Sequence, residues 1–273
     1  MTVCIAAICE NDTDSPKIVL ASDRMITFQD IIQFEHELPK LEEVAPNCVV
    51  ATAGTATLHT ELLRNAKIPK TGKIQPIREI AQRIKDSFDK ARKEEIENIV
   101  LKRYGFDNFE SFYKMQSTLS NNLSDEIIGE ITDYEYDLQI LIAGIDESGP
   151  HIYKIDVDNV MMPFDALGYE GAGIGFEHSR TTFFSSSYTD KFPLSKALYT
   201  VYKAKNIAEK APGVGKATDF WLIKKSGEKI SIEKNLDEIL KNIAFFFHQE
   251  QEAVKNSVDY EFLDKRVSEL KLY

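Results

Sequence analysis

Residues 2–23 read TVCIAAICENDTDSPKIVLASD. Two short runs rich in Val, Ile and Ala, VCIAAIC (3–9) and KIVLASD (17–23), flank ENDTDSP, a dense set of turn formers. Apolar, β-branched runs around such a turn predict an antiparallel hairpin, because Asn, Asp, Ser and Pro favour turn geometry over continued pairing. CVVATAG (48–54) is a third run of the same kind and ends at a glycine, while Lys40 in LPKLEEV stands where a strand pair leading to Gly54 begins. From Thr55 the pattern changes to TATLHTELLRNA, a helix with a threonine cap.

Further along, residues 76–124 read as mostly helical, with Ile77, Ile80, Ile84 and Phe88 on one stripe, a break at Gly105, and a second helix through Phe109, Phe112, Tyr113 and Met115. DLQILIAGID (137–146) and PHIYKIDVD (150–158) answer each other across the turn ESGP. A strand near Phe164 to Gly168 leads into GYEGAGIGFEHS, whose glycines predict a tight crossing from strand to helix. An amphipathic helix over 194–211 stops at Pro212 and Gly213, a hairpin with Ser-Gly at its turn spans 218–231, and charged helix follows. No internal repeat or Pro/Gly-rich linker divides the chain. Strands and helices in segregated runs predict antiparallel sheet packed on helices, a layered α+β fold in one domain, residues 1–273.

Composition narrows the function classes. With 273 residues, 43% apolar and 28% charged, the chain is long enough for a sizeable core and too ordinary for disorder. A formal charge of −11 argues against a nucleic-acid or anionic-membrane binder, since phosphate contacts need a basic surface. The apolar start, Val3 to Ile8, lacks a basic leader and is followed by Glu10, Asp12 and Asp14, so it reads as a buried strand, neither signal peptide nor membrane span. Cys4, Cys9 and Cys48 sit among Val, Ile and Ala without Cys-x-x-Cys spacing, as small buried hydrophobes of a cytoplasmic protein.

Several familiar sites are absent from the sequence. GAGIG (171–175) is not G-x-G-x-x-G, and no Walker lysine follows it. The five histidines, His36, His59, His151, His178 and His248, lack metal-ligand spacing, and there is no G-x-S-x-G elbow. No metal or organic cofactor is expected. What remains is Thr2, small enough that the preceding Met1 is normally removed, together with Asp23 and Lys40. A threonine with a free α-amine carries nucleophile and base in one residue. Taken singly, Asp23 reads as a turn carboxylate and Lys40 as a surface amine. Strand order can bring both to the end of the sheet where Thr2 lies.

TVCIAAI, KIVLASDRMIT, LPKLEEVAPNCVVATAGTAT, LQILIAGIDESGPHIYKID and ATDFWLI resemble the β-type subunits of the proteasome, within the N-terminal nucleophile (Ntn) hydrolases. The resemblance covers roughly residues 2–66 and 137–231. It implies a four-layer αββα sandwich of two antiparallel sheets flanked by helices, with an enlarged helical segment at about 75–130 and an extra C-terminal helical region at about 233–273. The lack of a helix before the first strand is similar to β-type and not α-type subunits.

By the same resemblance, Thr2 is the nucleophile, Asp23 and Lys40 its support, and Gly54 the oxyanion donor of a peptidase or amidohydrolase. Thr27 would pair through its backbone with an extended peptide, and Ile26 and Thr52 would line a pocket for a small or apolar side chain. The physics is compatible. A free amine with a pKa of about 7.7–8 can take the hydroxyl proton, a nearby ammonium favours its neutral form, and an oxyanion donor is worth about 3 kcal/mol.

Two departures bear on activity. Gly173-Ile174-Gly175 stands where the family has G-S-G, and APGVGK (211–216) where it has D-x-x-S-G-G. A noncatalytic ring subunit or peptide-binding scaffold is the alternative, and acyl transfer to an amine a third. Subunits of this kind pack together, so a homo-oligomer is expected.

Overall fold

The computed structural model describes residues 2–28, 32–36, 39–70, 72–232 and 237–257. They fall into two compact units, Met1–Ser231 and Ile232–Tyr273. In the first unit, β1 (Cys4–Cys9) and β2 (Lys17–Asp23) form the expected hairpin, in register from Cys4↔Ser22 to Cys9↔Lys17. β10 (Tyr169–Ala172) pairs with the free edge of β1, and β11 (Thr218–Lys224) with that of β2, followed by β12 (Lys229–Ser231). A second sheet runs in the order β5 (Leu41–Ala45), β6 (Cys48–Gly54), β7 (Leu138–Asp146), β8 (Gly149–Ile155), β9 (Met161–Pro163). Every pairing in both sheets is antiparallel.

Alternation along the strands decides which side chains meet. Cys4, Ala6 and Ile8 of β1, with Ile18 and Leu20 of β2, share a buried cluster with Val49, Ala51 and Ala53 of β6 and Leu141, Ala143 and Ile145 of β7. The abundance of Ala and Cys lets the two sheets approach closely there. On its opposite face β6 turns Cys48 and Val50 toward α1 (Ala56–Asn65) and α2 (Ile77–Ile99), where Leu62, Ile77, Ile80, Ile84 and Phe88 complete a second core. α5 (Ile174–Ser185) and α6 (Leu194–Ala208) pack on each other, and both reach β1. Gly105, at φ 84°, closes the turn after α2, and α3 (Phe109–Met115) and α4 (Asn121–Thr132) gather around Leu101, Phe112 and Ile127. The second unit holds α7 (Asp237–Asn256).

Three expectations change. Phe164 to Gly168 is a turn and not a strand: Gly168 sits at φ 79°, its N–H meets Phe164 O, and Asp165 caps the backbone N–H of Ile152 at 2.8 Å. Thr55 precedes α1 but makes no side-chain cap; its hydroxyl goes instead to Asp137 Oδ2 at 2.7 Å. Between Asp23 and Lys40 the chain forms an unforeseen ribbon, β3 (Met25–Phe28) with β4 (Ile32–Glu35). Among the described residues, no helix is long and apolar enough to cross a membrane.

Candidate active site

Asp23 closes β2 and is fully buried. Its Oδ1 accepts from the backbone N–H of Val3 at 3.1 Å and from Lys40 Nζ at 2.8 Å; its Oδ2 accepts from the N–H groups of Met25 at 3.1 Å and Gly215 at 3.0 Å. Four donors around one buried carboxylate supply the compensation that such a group needs away from water. Lys40, immediately before β5, places the same Nζ 2.8 Å from Thr2 Oγ1. Strand ends thus bring Thr2, Asp23 and Lys40 into one hydrogen-bonded chain. An ammonium donating to a hydroxyl oxygen favours negative charge on that oxygen.

The chain start is anchored from the other side. Gly175 N–H donates to Thr2 O at 3.0 Å, at the first turn of α5. Gly173, at φ 86°, lets the backbone pass, since a Cβ there would stand 2.2 Å from Thr2 O. Its N–H is held by Gln139 Oε1 at 2.6 Å, and Gln139 is fixed in turn by Asp156 at 2.8 Å. GIG lacks a hydroxyl; the sequence signalled neither the Gln139 side-chain oxygen that holds Gly173 nor the backbone amide by which Gly215 meets Asp23. Gly54 ends β6 at φ 124°, with Asp137 O only 2.3 Å from where a Cβ would be. Such a position admits glycine alone.

Two cavities adjoin this array. One, of about 430 Å³, is lined by Met25, Ile26, Leu41, Thr52 and Leu138, with Lys40 at its wall. The other, of about 510 Å³, carries Glu135, Asp137 and Glu177 beside Gln139 and Ile174. Thr2, Ala53, Gly54 and Thr55 belong to both linings. Ile26 and Thr52 thus both line the first cavity. Thr27 is in β3, paired with Gln33, and its side chain lies outside the described residues, as does Met1.

Other reactive groups carry less chemistry. The three cysteines are free and buried, and burial pushes the thiols of Cys4 and Cys9 up to about 12, far from the thiolate form that attacks or ligates. Ser148 Oγ lies 2.8 Å from His151 Nε2, and His151 Nδ1 lies 2.7 Å from Asp165 Oδ2, the atom order of a nucleophile, base and acid. Yet Ser148 Oγ also bonds Asp146 Oδ1 at 2.6 Å, and the Asp165 hydrogen bond, against burial, raises the His151 pKa. With its one hydroxyl proton given to Asp146, Ser148 has none to give His151 Nε2. The cluster clamps the β7–β8 turn, with Asp146 Oδ2 taking the N–H of Ile77 at 2.8 Å. No group of three or more His, Cys, Asp or Glu among the described residues has the geometry of a metal site.

No protein-family model matches the sequence, and no curated protein does. Solved structures do match the fold. The chain is similar to Anbu (ancestral beta-subunit) from Yersinia bercovieri, with TM-score 0.63 and 12% identity, over 94% of this chain and 98% of that one. It is likewise similar to an Anbu mutant from Hyphomicrobium sp. strain MC1, with TM-score 0.61 and 10% identity, over 95% and 98% of the two chains. These comparisons correct the resemblance drawn above. The structural neighbours are Anbu proteins, proteasome-like but a distinct family from the β-type subunits, and at such identity they show a proteasome-like fold alone, without placing the chain among the Ntn hydrolases. Short motifs at strand ends report local backbone geometry, which speaks to a fold more readily than to a family.

Proposed function

We propose that this chain is a threonine-nucleophile amidohydrolase or peptidase, with Thr2 exposed by removal of Met1. The observation that carries the reading is the unbroken contact from Asp23 Oδ1 to Lys40 Nζ to Thr2 Oγ1, at 2.8 Å each, ending on a threonine that lines two cavities. The Thr2 amine takes the hydroxyl proton as Oγ1 attacks the amide carbon. The carbonyl oxygen becomes an oxyanion facing the backbone N–H of Gly54. Collapse breaks the C–N bond, the leaving amine takes the proton, and water then hydrolyses the ester on Thr2 and restores the hydroxyl.

Ile26 and Thr52 shape the acyl-side pocket, and the backbone of Thr27 pairs with the extended substrate. In this reading residues 1–273 act as one proteasome-like domain of αββα layering, with the 75–130 and 233–273 helical regions as additions, working without cofactor as a cytoplasmic homo-oligomer. Ile174 favours a second reading. It sits in the cavity wall beside Thr2 without the hydroxyl that would help position an amine, as in a noncatalytic peptide-binding subunit.

Treating Met-free protein with a peptide β-lactone and mapping the adduct by mass spectrometry separates the two. Acylation at Thr2, lost in Thr2→Ala, is the expected result. An adduct elsewhere, or equal turnover by Thr2→Ala, would end the catalytic assignment and leave the scaffold.

A further inference from the structure

Asp23 receives one of its four hydrogen bonds from Gly215, in the APGVGK segment that lacks the Asp and Ser expected there. A different device holds that segment. Lys205, on α6, is 1% exposed, and its Nζ donates to Gly215 O at 3.1 Å and Lys216 O at 2.7 Å while pairing with Glu209. From the other side, Glu35 Oε1 accepts the N–H groups of Lys216 at 2.6 Å and Ala217 at 2.8 Å. Carbonyls are gripped by a buried cation and amides by an anion, so the two peptide planes that follow Gly215, one on each side of Lys216, have fixed orientation. The grip is also tight. A Cβ on Gly215 would lie 3.0 Å from Met25 N, so the segment rests directly on the chain leaving Asp23.

A buried amine is costly, and a methionine of similar length would fill the same space without that penalty. What the charge adds is direction: it aims two carbonyls inward and so fixes the chain right after Gly215, limiting how far the Gly215 N–H can turn from Asp23. We propose that Lys205 is a positioning residue for the Thr2–Asp23–Lys40 array, acting through Gly215 on the carboxylate that holds Lys40 against Thr2. Its kinetic consequence rests on the Thr2 reading; its structural consequence does not.

The test compares full-length, Met-free wild type with Lys205→Met, Lys205→Arg and Glu35→Ala. Two quantities are followed: hydrogen exchange of the Gly215 amide, and the rate of Thr2 acylation by a peptide β-lactone from pH 5.5 to 9. Lys205→Met is expected to speed Gly215 exchange by ~10-fold or more. Its acylation rate constant should fall by ~10–100-fold with the half-saturating inhibitor concentration little changed and the pH profile displaced, as for a misplaced catalytic group. Lys205→Arg, which keeps the cation, regains part of both, and Glu35→Ala moves both in the same direction by less.

Wild-type exchange and wild-type acylation in Lys205→Met would overturn the proposal. So would a loss of acylation with Gly215 exchange unchanged. Should Lys205→Met fail to fold, the surface variant Glu35→Ala decides, and no change in its exchange and rate rejects the clamp. Absence of Thr2 acylation in wild type would sink the hydrolase reading instead, leaving Gly215 exchange to decide the role of Lys205.

Discussion

At the scale of single residues, the site depends on groups with little room for replacement. Gly54→Ala puts a Cβ 2.3 Å from Asp137 O at a φ of 124°. Strain and clash together should cost ~2–4 kcal/mol, read as a lower midpoint in denaturant unfolding. An unchanged midpoint would mean that the Asp137 backbone yields freely. Lys40→Met leaves the fully buried Asp23 without its cation, which should cost ~3–5 kcal/mol and abolish Thr2 acylation. Thr2, Asp23, Lys40 and Gly54 were legible because each has a side chain, or a conspicuous lack of one, at the end of a readable strand. Gly215 was not, since its contribution is a backbone N–H whose direction only tertiary structure sets. Lys205 left a faint trace: it stands four residues after buried Val201 and three before buried Ala208, a cation on an apolar stripe.

Among the elements, the β7–β8 turn should make stability depend on pH. His151 is raised above its ordinary value by the hydrogen bond its Nδ1–H donates to Asp165, with Asp146 adding to it; Ser148 and Tyr153 also face the ring. A raised folded-state pKa contributes stability that is complete below the unfolded value of about 6.5 and is lost as pH rises through the folded one. Burial pushes Asp146 up, but hydrogen bonds from Ser148 and Ile77 outweigh it and hold the carboxyl low, so its contribution is lost only as pH falls through that lowered value. His151→Asn should therefore lower the melting temperature most between about pH 4 and 6.5 and progressively less above. A deficit independent of pH would refute the clamp.

Phe112 belongs to a separate small core with Leu101 and Ile127. Phe112→Ala should cost ~3–5 kcal/mol there and raise hydrogen exchange in α3 and α4 before the sheets. Hairpins and amphipathic helices were readable from periodicity and turn residues. The β3–β4 ribbon was not, because the ladder of its short strands is closed by geometry rather than announced by composition. Phe164 to Gly168 misled for the opposite reason, an apolar fragment bent by Asp165 and Gly168.

For the whole molecule, the sequence disclosed antiparallel sheet against helix, since strands and helices come in blocks; it did not point to the Anbu proteins whose solved structures the fold is similar to, because at 10–12% identity few side chains are shared. Light scattering should return a mass at least twice 31.0 kDa, and a monomer would remove the subunit-packing part of the proposed function. One partition, carrying Thr2 and Gly54, serves two chambers of unlike lining. On the hydrolase reading, scission at that partition sorts the fragments as it makes them. The acylated half would then stay beside Met25, Ile26 and Leu138, and the released amine would emerge beside Glu135, Asp137 and Glu177. The space it vacates is the berth for incoming water, so cutting and clearance become successive uses of a single wall.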